Sequence, residues 1–240
     1  MTGEQLDTID DRVLSGLRRW PDVEAPNLHA VDASDRLILD EAAAALAESG
    51  PGEVVVIGDA YGALTIGAAA IGATGIRVFQ DSIVGERALA ANAAGAVDYV
   101  NLPLGADLLR GARVVLMQLP RSLAELDELA AWIASAADPA VRVYAGGRIK
   151  HMTTAMNEVL ARHFGRVDVT HARQKSRVLI ASQPLPSEPP IIAREFHTDL
   201  GIRVCATGAT FAGTRIDIGT RALLAVLPTV APDATTAADL

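Results

Sequence analysis

The sequence has one cysteine, Cys205, so it can form no internal disulfide, which suits a reducing cytoplasm. Lysine is scarce and the formal net charge is -8, which argues against a generally basic nucleic-acid coat, because phosphate binding needs clustered Lys and Arg. A local basic patch on an acidic body stays compatible with that balance. No apolar run is long enough to cross a membrane: the best, Tyr61 to Ile76, is uncharged but short and interrupted by glycines. The opening MTGEQLDTIDDRV is acidic and polar and does not read as a signal peptide. The histidines at 29, 151, 163, 171 and 197, taken with Cys205, have no zinc-ligand spacing. No G-x-S-x-G elbow occurs, so a hydrolase reading lacks support.

What is present is a chain of 240 residues, half of them apolar, enough for a substantial core. Apolar spacing predicts a helix over roughly Leu6 to Leu17, and a second, DRLILDEAAAALAE, with Ser34 or Asp35 as its cap. Strand and helix patterns then alternate: EVVVIG, YGALTIGAAAIG, IRVFQ, SIVGERALAANAAG capped by Ser82, RVVLMQL, SLAELDELAAWIASAA, VRVYAGG, and TTAMNEVLARHFG closed by Gly165. RVDVTHA and SRVLIAS read as a terminal strand pair. This order predicts an α/β fold with a doubly wound, mostly parallel sheet and a late antiparallel C-terminal strand pair. Four prolines in QPLPSEPP, Gln183 to Pro190, make a stiff linker and place a domain boundary. Beyond it, IIAREFHT and IRVCATG predict a hairpin, and DIGTRALLAVL a helix ended by Pro228. The closing TTAADL reads as the start of a further buried strand, which suggests a fragment.

The stretch VVVIGDAYGAL, Val54 to Leu64, runs a buried strand into a glycine turn, where a ligand can lie against backbone N–H groups and a helix start. Gly58 and Gly62 occupy the outer positions of a G-x-G-x-G spacing, but Ala60 takes the middle one. Asp81 ends the next strand, where an acid can accept from ribose hydroxyls. These residues allow a degenerate cofactor site. Equally, the two glycines can serve only close strand–helix packing.

Several segments taken together, IGDAYGALT, FQDSIVGERALAANA, LPRSLAELDELAAWI, VYAGGRIKHMTTAMNEVL and RQKSRVLIA, resemble the N-terminal half of the two-domain ribosomal RNA guanine-N2 methyltransferases, the large-subunit enzymes foremost. GATFAGTRIDIGTRALLAVLP resembles the lead into the catalytic domain of the methyltransferase small domain family. The resemblance implies a class I methyltransferase type of sheet, duplicated, with S-adenosylmethionine and the Asn-Pro-Pro-aromatic loop kept only in the second copy. It implies no cofactor in this chain alone. Here Val56 stands where the family places an acid before the first glycine. LPRS replaces the catalytic loop, with Leu119 for Asn and Arg121 for the second Pro, so no amide or aromatic platform is expected there. Residues 1–182 are then a catalytically silent domain, 183–190 a linker, and 191–240 the opening of a catalytic domain.

By the same resemblance the first domain contacts ribosomal RNA or a ribosomal subunit and supports its own C-terminal domain. Arg148 and Lys150 in GGRIKHM, with Lys175 and Arg177 in HARQKSR, are the candidate phosphate contacts, or else an ordinary solvated surface. Lys175 and Arg177 fall where the family has basic residues, while Arg173 and Gln174 replace its Trp-Lys pair. In the tail, Phe211, Asp217, Gly219 and Thr220 match positions at the methionine end of the cofactor, although Asp217 equally suits a helix cap. The full protein is thus expected to be a cytoplasmic enzyme. The other two readings are a non-enzymatic RNA-binding or scaffold domain, and a self-contained adenosylmethionine- or dinucleotide-binding enzyme using the Gly58–Gly62 turn.

Overall fold

The computed structural model describes residues 11–230. The chain divides into two compact units, Met1–Pro190 and Ile191–Leu240. The first is built on strands β1 (Val54–Ile57), β2 (Ile76–Phe79), β3 (Tyr99–Asn101), β4 (Val114–Gln118), β5 (Arg142–Arg148), β6 (Phe164–Val169) and β7 (Ser176–Pro184). Their helices are α1 (Asp11–Ser15), α2 (Ala33–Ala47), α3 (Ala63–Ile71), α4 (Ile83–Ala93), α5 (Ala106–Leu109), α6 (Leu123–Ala136) and α7 (Thr154–His163).

The seven strands form one sheet in the order β3-β2-β1-β4-β5-β7-β6. β1 to β5 are parallel, and β7 runs antiparallel to both β5 and β6. This is the class I methyltransferase type of sheet, with the antiparallel C-terminal pair in place. Side chains alternate between its faces, so VVVI of β1 feeds two cores. Val54 and Val56 join α2, α3 and α4 on one face. Val55 and Ile57 join α5, α6 and α7 on the other. The order reverses between β1 and β4, which opens a crevice at the carboxyl ends of these strands.

Helix α2 lies close over that crevice. A Cβ on Gly146 of β5 would sit 2.4 Å from Ile38 Cγ1, so only glycine lets helix and sheet approach this far. The cap of α2 is Asp32, not Ser34 or Asp35. Its side chain takes the Ser34 N–H, and Asp35 at the third helical position reaches back to the Asp32 N–H, a reciprocal capping box. Other boundaries also moved. The part of the first predicted helix before residue 11 lies outside the described residues, and α1 stops at Ser15, short of Leu17. Ser82 is the cap residue of α4, but its hydroxyl makes no capping bond among the described residues. α7 is not closed by Gly165: Phe164 adopts extended angles and buries its ring, turning the chain directly into β6, which contains Gly165.

The second unit holds a hairpin, β8 (Ala193–His197) with β9 (Ile202–Ala206), and helix α8 (Ile218–Val230). Pro228 lies inside α8 rather than ending it. Its ring costs the helix one backbone hydrogen bond near the end, but its fixed φ suits helix geometry. Arg221 reaches Asp199 at 2.6 Å and His197 Nε2 lies 2.8 Å from the Thr214 carbonyl, tying hairpin, loop and helix together. The strand expected in TTAADL lies outside the described residues.

Candidate functional site

The crevice holds a cavity of about 460 Å3. Its walls come from the start of α2, the turn after β1, the loop after β4 and the end of β5. The floor is acidic. Asp35 is 6% exposed and takes hydrogen bonds from the Asp32 N–H and from the Gln118 side-chain amide. Burial first, then the nearby Asp59 charge, push its carboxyl up to about 7. Asp59, 1% exposed, turns inward from the glycine turn. It accepts from the Gly62 N–H at 3.0 Å, the Thr65 N–H at 2.8 Å and the Thr65 hydroxyl at 2.7 Å. Burial still holds its pKa above the usual carboxylate range.

The mouth is cationic. Arg121 follows β4, Arg148 ends β5, and His151 lies in the short 3-10 turn after it. Desolvation, then the cations Arg121, Lys150 and Arg148, keep His151 below the usual imidazole range. Arg148 also reaches the Asp32 carboxylate at 3.5 Å. Opposite, the Arg19 guanidinium sits 4.7 Å from the centre of the Tyr61 ring, and both bond the Asp22 carboxylate.

The glycine turn divides its duties. Gly58 has φ +75° and room around an added Cβ, so its conformation is what needs glycine. Gly62 has φ +93°, and a Cβ there would meet Leu89 Cδ1 at 3.0 Å and Ile66 Cδ1 at 3.2 Å, so it serves helix packing as well. Ala60 is exposed on the cavity edge. Asp81 is exposed, does not line the cavity, and lies near enough to Glu125 to help raise that carboxyl after burial. Between the β1 turn and β2, the Gln80 side chain donates to the Asp59 carbonyl at 2.9 Å and fills the space above Gly85.

That arrangement does not fit an adenosylmethionine in the first unit. The N–H groups that would face a ligand at the start of α3 are taken by Asp59, and Gln80 crosses the gap towards β2 where a ribose would lie. The loop itself, Leu119 to Ser122, carries no amide or aromatic, but neighbouring elements bring both to the cavity. Gln118, one residue before Leu119, lines the cavity, but its amide is committed to Asp35 and Ser34. An aromatic, Tyr61, lines it too.

The predicted basic residues converge. β5 pairs with β7 so that Gly147 faces Arg177 and Arg148 faces Ser176, and the Ile149 N–H bonds the Lys175 carbonyl at 3.0 Å. Lys150 and Lys175, the chain's two lysines, are both exposed at this end of the sheet. Arg148 is tied to Asp32, and Arg177 is half-buried with its Nε unpaired among the described residues. Arg173 is ion-paired with Asp40 of α2. Asp59, Gln118, Arg19 and Tyr61 were not singled out from the sequence, and Asp35 was named there only as a helix cap. The D-x-x-D spacing of Asp32 and Asp35 was the one signal that pointed to the capping box.

In the second unit Phe211 is exposed. Asp217 accepts from the Thr220 hydroxyl at 2.6 Å, the Gly219 N–H at 2.8 Å and the Thr220 N–H at 3.3 Å, so it caps α8. The Thr220 hydroxyl above all holds its carboxyl below the usual range. Among the described residues no group of His, Cys, Asp and Glu is arranged to hold a metal, and no helix is long and apolar enough to cross a membrane.

Comparison with known proteins places this geometry. A ribosomal RNA large subunit methyltransferase G of Pseudomonas fluorescens is 31% identical over 223 residues, 88% of this chain and 58% of the relative. One from Pseudomonas aeruginosa is 33% identical over 227 residues, with the same coverage. The chain therefore spans less than two thirds of the length of these relatives. The fold is similar to that of a T. thermophilus 16S rRNA N2 G1207 methyltransferase solved with AdoMet and guanosine, with a TM-score of 0.55 at 16% identity over 78% of this chain and 52% of that one. The family model described as RLMG N-terminal domain matches residues 5–185, which spans the whole seven-stranded sheet and its crevice, and the chain belongs to that family.

Proposed function

We propose that this chain is the N-terminal part of an S-adenosylmethionine-dependent ribosomal RNA methyltransferase acting on a guanine N2 amine. In this reading residues 1–182 dock RNA and support the catalytic domain without catalysing, 183–190 are the linker, and 191–240 begin the catalytic domain, with Phe211, Asp217, Gly219 and Thr220 at the edge of its cofactor pocket. The protein works in the cytoplasm on ribosomal RNA or a subunit.

One observation carries the silent role: the first unit spends its own side chains on the groups a cofactor would need. Asp59 takes the N–H groups at the start of α3, Gln80 bridges towards β2, Val56 is buried where an acid is expected, and Leu119 supplies no acceptor. Docking is supported by the two exposed lysines at one end of the β5–β7 ladder, on a body of net charge -8.

Two measurements test it. Calorimetric titration of the chain with adenosylmethionine should give no heat of binding. Micromolar binding abolished by Asp81→Ala would make the first unit a cofactor enzyme and end the silent reading. Filter binding to ribosomal RNA over a salt series should be strongly salt-dependent, and the Lys150→Ala, Lys175→Ala pair should flatten the slope by about 0.7–0.9 per lost phosphate contact. An unchanged slope removes these lysines from the RNA surface.

A further inference from the structure

Resting on that reading only for the source of its ligand, we infer that the cavity at the ends of β1, β4 and β5 holds a single nucleotide, phosphate at the Arg121–Arg148–His151 mouth and base against the Asp35–Gln118 floor. The sealed side of the crevice, towards β2, is not involved. The ligand is a nucleoside monophosphate unit, met free or as one unpaired residue of an RNA strand.

Size and polarity both point there. About 460 Å3 lies within the common range for small-ligand sites, roughly 300–1,000 Å3. The lining is segregated: cations from two separate loops gather at the opening, buried carboxylates lie beneath, and Leu119, Met152 and the half-buried Tyr61 lie between. In a chain of net charge -8, an arginine from the loop after β4 and one from the end of β5 lining the same cavity as His151 are not background. Arg148 is partly neutralised by Asp32, while Arg121 is exposed. A dianionic phosphate suits that cluster, and a planar ring suits the apolar middle.

The floor ranks the bases. Each Asp35 oxygen accepts one hydrogen bond from the protein, from the Asp32 N–H and from the Gln118 amide, which leaves each a further lone-pair site. Two adjacent N–H donors engage a carboxylate together. Guanine has them in its ring N1–H and exocyclic amine; adenine and cytosine present an amino group alone, and uracil a lone ring N–H. The expected order therefore puts guanine first and uracil last.

The test uses the whole 240-residue chain, a labelled short single-stranded RNA read by anisotropy, and GMP, UMP or inorganic phosphate as competitors. GMP should displace the RNA, UMP about tenfold more weakly, and phosphate alone not at all at the same concentration. Two variants probe opposite ends. Arg121→Glu reverses an exposed charge at the mouth. Gly147→Leu fills the cavity from β5, where an added Cβ would make only ordinary contacts, 3.6 Å to Leu119 Cβ and 3.8 Å to Met152 Cγ. Both should weaken GMP about tenfold with unchanged melting temperature. GMP competing no better than phosphate, or binding both variants as it binds the parent, overturns the site. RNA bound without GMP displacement also overturns it while leaving the docking role standing. GMP bound by a chain that binds no RNA supports the site and removes the docking role.

Discussion

To one side of β1, towards β2, the chain has paired off its own polar groups; to the other, towards β4 and β5, it has left a cavity with charge on two levels. Both regions use the same strand ends, and the same turn supplies Asp59 to each. On the β2 side Asp59 and Gln80 bind backbone groups, and Gly62 brings α3 against Leu89. On the β5 side Asp35, Gln118 and Ser34 form a network that faces open space. The difference teaches that one side of a crevice can be closed by the chain's own polar groups while the other stays open. Buried N–H groups at a helix start must find partners, and an inward-turning aspartate supplies them. No such demand acts on the β5 side, where Arg121 and His151 are exposed and Arg148 pairs with Asp32.

The sharpest way to break the contrast is Asp59→Ala. It strands the Gly62 N–H, the Thr65 N–H and the Thr65 hydroxyl without acceptors. At about 1–3 kcal/mol for each buried unsatisfied group, offset by release of a buried charge, the expected loss is about 4 kcal/mol in urea unfolding. A loss under about 1 kcal/mol would mean that water replaces the carboxylate and the turn is not sealed.

Next in size is the pH dependence of Asp35, on the open side. Its folded pKa of about 7 lies above its ordinary value of 3.8, so between these values the native state holds a proton that the unfolded state releases. Stability from this group is therefore complete below about pH 4 and is lost as pH rises through about 7, a fall of about 2–4 kcal/mol. Asp59, raised as well, adds in the same direction. Asp35→Asn should remove most of the fall. Parallel stability–pH curves for parent and variant would show that the floor is already hydrated.

Gly62→Ala sharpens the comparison further. Its left-handed φ and its contacts with Leu89 and Ile66 predict a cost of about 2 kcal/mol in thermal or urea unfolding. A neutral result would show that α3 and α4 can part, and with them the closed side.

The fold was legible because it rests on short-range pattern. Runs such as VVVI and VVLMQ, spaced by helical periods, fix a parallel sheet with both faces covered, and the late strand pair followed from RVDVTHA and SRVLIAS. Boundaries failed where a side chain, not a punctuating residue, set the end: Asp32 rather than Ser34, buried Phe164 rather than Gly165. The site was less legible because its contacts span the chain. Gln118 meets Asp35 across 83 positions and Arg173 meets Asp40 across 133, and no local pattern encodes either. Arg148, Lys150, Lys175 and Arg177 were picked out as two clusters in sequence, but only the β5–β7 register brings them to one end of the sheet.

That register has a practical corollary. Apart from the α-amino group, the only primary amines in the chain are those of Lys150 and Lys175, both beside the Ile149–Lys175 backbone link. An acylating reagent thus modifies a single rim of the first unit besides the terminus. Protection of those two nitrogens in a mass spectrum reports directly on whatever lies across it.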